Sequence, residues 1–399
     1  MAVRRRRLGP IATRDGALAA LFGLSALLTG CRGDPDPFQL PDPPAAPTGP
    51  FQLTLSPFHD AGPVWTPDGT EIAYAAGQTY LFPEASSAVV AVPATGGQAR
   101  ALAESYQDNL TFPNLVAPAL SPDGRRLAVV ELRFTLPLFC APGQALNCGE
   151  LAPPSIPGPE LELIAIAVRD VEGAATGPEQ TASFDVRKRD EAGLLLEADP
   201  FQRYYSLGGL PFRPTWSPDG RRVAYSDGVS LKIWDVEAGT VTEVPNTAYA
   251  VSPAWSPDGA TIAFVQMEAA DPESFTCTCS GGGAGAETAT RLVRQISTQR
   301  VSFFDVATGT ISILPLTSRD PAWSPDGRWV FFERFGELWR MPPLDPTLAA
   351  PIPATEGGRH PAVSPDGTHL AFTRTRVQDG VGDIWILPLP DALPPDALP

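Results

Sequence analysis

The sequence predicts an all-β fold, a six-bladed β-propeller of four-stranded antiparallel blades, on three observations. A pentad ending in Pro-Asp-Gly recurs six times, a short apolar run follows each copy, and a lone strand stands ahead of the first unit. The pentads are Trp65 to Gly69, Leu120 to Gly124, Trp216 to Gly220, Trp255 to Gly259, Trp323 to Gly327 and Val363 to Gly367. Their aspartates are 55, 96, 39, 68 and 40 residues apart, so the bare unit is about 40 residues, a propeller-blade period, and the longer intervals carry insertions.

Each pentad has the chemistry of a tight hairpin turn. Proline presets φ, aspartate bonds the local backbone and glycine accepts the left-handed conformation that follows. A short run of apolar or small residues at consecutive positions follows shortly after, as in Ile72-Ala73-Tyr74 and Ile262-Ala263-Phe264, which means burial on both faces of a strand. In unit five Phe331 replaces the recurrent alanine, and locally wider packing is expected there. A third strand is clearest as Leu231 to Val236, Val301 to Val306 and Asp383 to Leu387. The last unit then runs into a proline-rich tail with no fourth strand. Phe51 to Leu55 is expected to supply it and close the ring, which removes an exposed sheet edge.

The pentad and the runs after it resemble the TolB-type propeller repeat, found also in the propeller of the prolyl oligopeptidase family. The resemblance covers nearly all of residues 51–390 and implies fold far more than activity. TolB itself has an α/β domain before its propeller and the peptidases carry a hydrolase domain, and neither has a counterpart among these 399 residues.

Residues 1–30 read as a secretory signal, with Arg4 to Arg7 as the basic head and Gly16 to Gly30 as an apolar run too short to span a bilayer. Leu28-Thr29-Gly30-Cys31 resembles the lipobox of bacterial lipoproteins, which implies cleavage before Cys31 and a lipid on its thiol. Removing 1–30 takes away five arginines and one aspartate, moving the formal charge from −16 to −20. Such a chain repels phosphate backbones, so nucleic acid is excluded as a partner. Residues 31–50 carry seven prolines and read as a semi-rigid tether, residues 51–390 as the propeller and residues 391–399 as a tail. Arg32 leaves no aspartate retention signal after Cys31. By resemblance to enteric sorting this favours the outer membrane, on its periplasmic or surface face, and a monomer is expected.

Four further cysteines, Cys140, Cys148, Cys277 and Cys279, favour two disulfides in an exported protein, with Cys140–Cys148 the preferred pair and cross-links between insertions left open. Zinc is disfavoured by the Cys-Thr-Cys spacing and the absence of nearby histidine. There is no Gly-x-Ser-x-Gly elbow, and Ser280 to Gly285 lacks the lysine of a phosphate-binding loop. No cofactor is expected, turn capping accounts for the pentad aspartates better than calcium does, and the protein reads as a non-catalytic binder. A propeller lyase or glycosidase working at the channel mouth is the rival.

The long insertions, 131–159 and 267–298, fall between second and third strands, on the face opposite the pentads, and a long inter-blade loop, 188–211, opens there too. They are candidates for a surface that engages a protein, peptide or glycan. Aligning the units places Gly62, Ala117, Arg213, Ser252, Asp320 and His360, each followed by proline, at the channel mouth, with Arg319 and Arg359 one position earlier. Ring closure makes His59 and His360 neighbours. The arginines suggest a carboxylate-bearing ligand, or else a structural collar in which they pair with Asp320 and nearby carboxylates.

Overall fold

A computed structural model of the chain describes residues 49–57, 59–78, 88–104, 111–135, 160–171, 180–184, 212–227, 230–269, 273–279, 287–293, 296–377 and 380–389. Six four-stranded antiparallel sheets and one separate hairpin account for its strands. Blade one runs His59–Trp65, Glu71–Gln78, Ala88–Pro93 and Arg100–Glu104, and blade two Thr111–Leu120, Arg126–Thr135, Glu160–Asp170 and Gln180–Phe184. Blade three runs Thr215–Trp216, Arg222–Ser226, Leu231–Asp235 and Thr240–Glu243. Blade four uses Ala250–Trp255, Thr261–Ala269, Ile296–Asp305 and Ile311–Thr317, and blade five Arg319–Trp323, Val330–Arg334, Glu337–Met341 and Ala350–Pro351. Blade six has Gly358–Val363, His369–Thr375 and Gly382–Pro388, and its fourth strand is Phe51–Gln52.

The 96-residue interval therefore holds one blade and not two. First strands of successive blades touch one another in an unbroken cycle that ends with blade six against blade one, so they line the centre of a closed ring. Closure follows the expected route. Phe51 pairs with Ile386 and Gln52 with Trp385, and Leu53 donates its N–H to the Ile384 carbonyl at 2.8 Å. Apolar clusters fill the spaces between blades. Phe331 packs with Leu338, Leu370 and Phe372 between blades five and six.

Each pentad is a turn held by a small hydrogen-bond relay. In the first, the Gly69 N–H reaches the Thr66 carbonyl, the Thr66 hydroxyl donates to Asp68, and the Asp68 carboxylate accepts the Thr70 N–H. The serine of the other pentads does the same, and in every pentad the hydroxyl accepts the N–H five residues on, as Thr66 does from Glu71 and Ser217 from Arg222. These hydroxyl bonds first, then the backbone ones, hold Asp68, Asp123, Asp219, Asp258 and Asp366 below the usual carboxylate range. The aspartates are thus spent on donors within the turn.

The turns also meet each other. A Cβ on Gly69 would lie 3.6 Å from Pro365 of the preceding blade, and Gly124, Gly220, Gly259 and Gly367 lie likewise against Pro67, Pro122, Pro218 and Pro325. The pentad tryptophans add staples: Trp65, Trp216 and Trp323 donate their indole N–H to the carbonyls of Ala362, Ala119 and Ala254 in the blade before. Among the described residues no helix is long and apolar enough to cross a membrane.

Candidate functional site

Proline shapes the channel wall. In every blade the pentad is preceded by Pro-Ala, Pro-Val or Pro-Thr, and proline gives the ladder no N–H. Five of the six first strands respond with a register shift there. The residue just before the proline turns left-handed: Gly62 (φ 66°), Ala117 (51°), Ser252 (50°), Asp320 (50°) and His360 (50°). For the four that are not glycine this costs about 1–2 kcal/mol each. A bulge re-aims the side chain it carries. Blade three departs from the pattern, since its first strand is only Thr215–Trp216 and Arg213 precedes it.

The aligned residues thus lie within or beside the innermost strands and not in free loops. Asp320 and His360 are each only 1% exposed. The Ser252 hydroxyl donates to Asp320 Oδ1 at 3.1 Å, Asp320 Oδ2 lies 3.7 Å from His360 Nε2, and His360 Nδ1 meets the Thr373 hydroxyl at 3.2 Å. Thr373 in turn accepts the Gly62 N–H at 3.2 Å. One polar chain therefore joins blades four, five, six and one. The opposite arc of the wall is apolar, with Val116, Ala117, Phe212, Val251 and Met267 in a single cluster.

His59 and His360 do come together across the seam. The Gly382 N–H donates to His59 Nδ1 at 2.8 Å, which requires a neutral ring there. Burial first, then the charges of His360 and Arg359, lowers its pKa to about 4. Beside it Asp60 is pushed up to about 7, mainly by burial and further by Asp383, against hydrogen bonds from Thr54 and Gly77 and the charge of Arg376. Asp383 is fully buried, with Arg376 Nε 3.3 Å away.

The three arginines differ in role. Arg319 grips Glu333, its cross-strand partner, through Nε and through a second bond of 3.0 Å, and Glu333 is buried. Glu333 is thus one of the carboxylates near Asp320 that a structural collar would use. Arg213 and Arg359 are partly exposed. Sequence reasoning missed Glu333, Thr373, Asp60 and Asp383. One signal was present: the residue after each second-strand apolar triplet is Ala75, Val130, Ser226, Val265, Glu333 and Thr373, so a charge at 333 stands out in that column.

Among the described residues no group of three or more His, Cys, Asp or Glu gathers as a metal site would need. Cys31, Cys140, Cys148 and the 188–211 loop lie outside the described residues. Cys277 and Cys279 fall in a hairpin, Glu273–Cys279 with Glu287–Val293, that grows from the insertion of blade four, and their partners across the ladder are Ala289 and Glu287. Neither position is thus opposite another cysteine.

In architecture the chain is a TolB-like six-bladed β-propeller. No protein-family model and no curated protein matches it. Among solved structures it is similar to TolB from Acinetobacter baumannii, at 19% identity and a TM-score of 0.44 over 78% of this chain, and it spans 58% of that chain's length. It is similar also to an oligogalacturonate lyase from Vibrio parahaemolyticus, at 13% identity and 0.43 over 85% of this chain and 80% of that one. An acylaminoacyl peptidase matches at 11% identity and 0.42, over 82% of this chain and 44% of that one.

Proposed function

We propose that the protein is a non-catalytic binding module of the bacterial cell envelope, a lipoprotein held to the outer membrane through Cys31, whose loop face engages a protein, peptide or glycan. The observation that carries this reading is the division of labour in the channel wall. Its most buried polar groups are used up on one another, and Arg213 and Arg359 remain partly exposed at the end of the channel from which the insertions spring. An acyl-transfer or lyase centre needs a base within reach of a nucleophile or a substrate proton. Here Asp320 stands between Ser252 and His360, so the imidazole is turned away from the hydroxyl and both of its nitrogens face partners in the wall.

A guanidinium at the mouth of an acidic protein creates a local field opposite to the overall one and selects a carboxylate, such as a peptide terminus or a uronic acid. Arg319 is a poor probe of this because removing it strands buried Glu333. Arg213→Gln with Arg359→Gln is the informative pair. Titration with peptides bearing a free or an amidated C-terminus, and with oligouronates, is expected to show binding of carboxylate forms that the double variant loses at unchanged melting temperature. Equal binding of free and amidated peptides, or no loss in the variant, overturns the mouth as the site.

A further inference from the structure

We propose that the sector of the loop face formed by blades five and six and the closing segment docks on a zwitterionic phospholipid surface. Three apolar side chains stand there on turn tips: Phe335 is 76% exposed, Val377 99% and Leu55 61%. Strand direction puts all three on one face. Phe335 and Val377 lie between second and third strands, and Leu55 lies between the closing strand and the first strand of blade one. Backbone contacts make the sector continuous. The Gly357 N–H reaches the Gly336 carbonyl at 2.7 Å, the Thr375 N–H reaches the Gly357 carbonyl at 3.3 Å, and Arg376 donates to the Ser56 carbonyl at 2.7 Å.

Phe335 is the strongest pointer. With Gly336 it forms a two-residue hairpin turn in which both residues are left-handed, at φ 56° and 78°. Such turns favour Asn-Gly. A bulky aromatic there is strained as well as exposed. Arg334 lies over its ring at 4.6 Å.

The shape and charge of the sector favour lipid over a protein pocket. The apolar groups are convex single-residue tips on separate turns, which enter between headgroups without needing a complementary cavity. Behind them Arg374 pairs with Glu356 and Arg376 with buried Asp383, and Arg334 lies across the ladder from Glu337, in a chain of net −16. Arginines that pair off these carboxylates weaken the repulsion that acidic surface suffers at a headgroup layer. The residues ahead of Gly49 also join the ring here, since Leu55 is one of the tips. Where the anchored reading holds, the tether of about 20 residues spans at most ~60 Å as polyproline. Tips of weak intrinsic affinity then suffice, because the tether keeps their effective concentration high. The channel mouth, with Arg213 and Arg359, and blades two to four, with the insertions, are left for the macromolecular ligand.

The test uses the full chain with vesicles of phosphatidylcholine and phosphatidylethanolamine containing a spin-labelled quencher lipid. An environment-sensitive fluorescent amino acid is placed at the position of Val377, or at that of exposed Arg328 on the pentad face. Quenching at 377 is expected to exceed that at 328 at least threefold, and to fall to the 328 level with Leu55→Gln and Phe335→Asn. The Asn-Gly turn that results keeps the variant folded. A chain that does not associate with vesicles, equal quenching at both positions, or quenching that survives the double variant overturns the proposal, the last pointing to another surface. The anchor is judged separately: Cys31→Ser that still yields a mature-sized, detergent-partitioning protein refutes lipidation without touching the docking result.

Discussion

At the scale of single residues, His59 and Asp60 adjoin one another and respond to protons with opposite sign. Folding keeps His59 neutral down to about pH 4, whereas the unfolded chain takes up a proton below the ordinary value of 6.5, so acidification through that window favours unfolding. Asp60 keeps its proton in the fold up to about pH 7 and loses it in the unfolded chain above 3.8, so raising the pH through that window favours unfolding. Between pH 4 and 6.5 the two proton differences cancel. Each alone is worth up to ~1.4 kcal/mol per pH unit. Relative to the native chain, His59→Gln is expected to lose stability as pH rises from 4 to 6.5, and Asp60→Asn to gain it from 4 to 7. Urea unfolding at pH 4.5 and 6.5 checks this, and slopes of the same sign in both variants contradict the assignment.

At the scale of elements, the blades are joined by two devices that alternate unevenly around the ring. Proline packs on the next blade's glycine at five interfaces, while Gly327 has nothing within 4 Å of its Cβ position, and it is at that interface that Trp323 reaches Ala254. Trp216→Phe keeps the ring face but removes the donor to the Ala119 carbonyl inside a bulge. A loss of ~1–3 kcal/mol is expected, the cost of a buried acceptor left unsatisfied. Thermal or urea unfolding measures it, and an unchanged midpoint would show the staple to be dispensable. Gly382 is constrained in another way, since a Cβ there would come within 2.7 Å of His59 Cε1 and 2.8 Å of Thr373 Cγ2. Gly382→Ala is therefore expected to destabilise the seam, read as a lowered melting temperature. The turns were legible in the sequence because their chemistry is local, from Ser or Thr to the residue five positions on. The indole staples were not, because donor and acceptor belong to different repeats. The polar chain was half legible: the prolines marked Ser252, Asp320 and His360, but only the assembled ring shows that Ser252 meets Asp320, Asp320 faces His360 and His360 meets Thr373.

At the scale of the whole molecule, closure by the N-terminal segment was readable from a count of strands, and the structure shows how much rests on six residues. Leu53 is buried in the cluster that joins blades six and one, with Ile72, Tyr74, Ile384 and Ile386. Its N–H reaches Ile384, Thr54 Oγ1 accepts the Ile384 N–H at 3.0 Å, and Ser56 meets both Asp383 and Arg376. Burying the leucine contributes ~1.5–3 kcal/mol and each buried hydrogen bond ~1 kcal/mol, a sizeable part of the ~5–15 kcal/mol that stabilises a typical fold. Removing the segment also opens the edge of the last blade and puts fully buried Asp383 in contact with water. Deleting 51–56 is therefore expected to lower the melting temperature by several degrees and to broaden the transition, because a ring opened at one seam no longer couples its first and last blades. Deleting 41–46, equal in length and ahead of the first strand, is expected to leave both unchanged. Calorimetry of the two deletions side by side decides the matter, and coincident transitions would mean that the ring is held shut by the first strand of blade one against blade six alone.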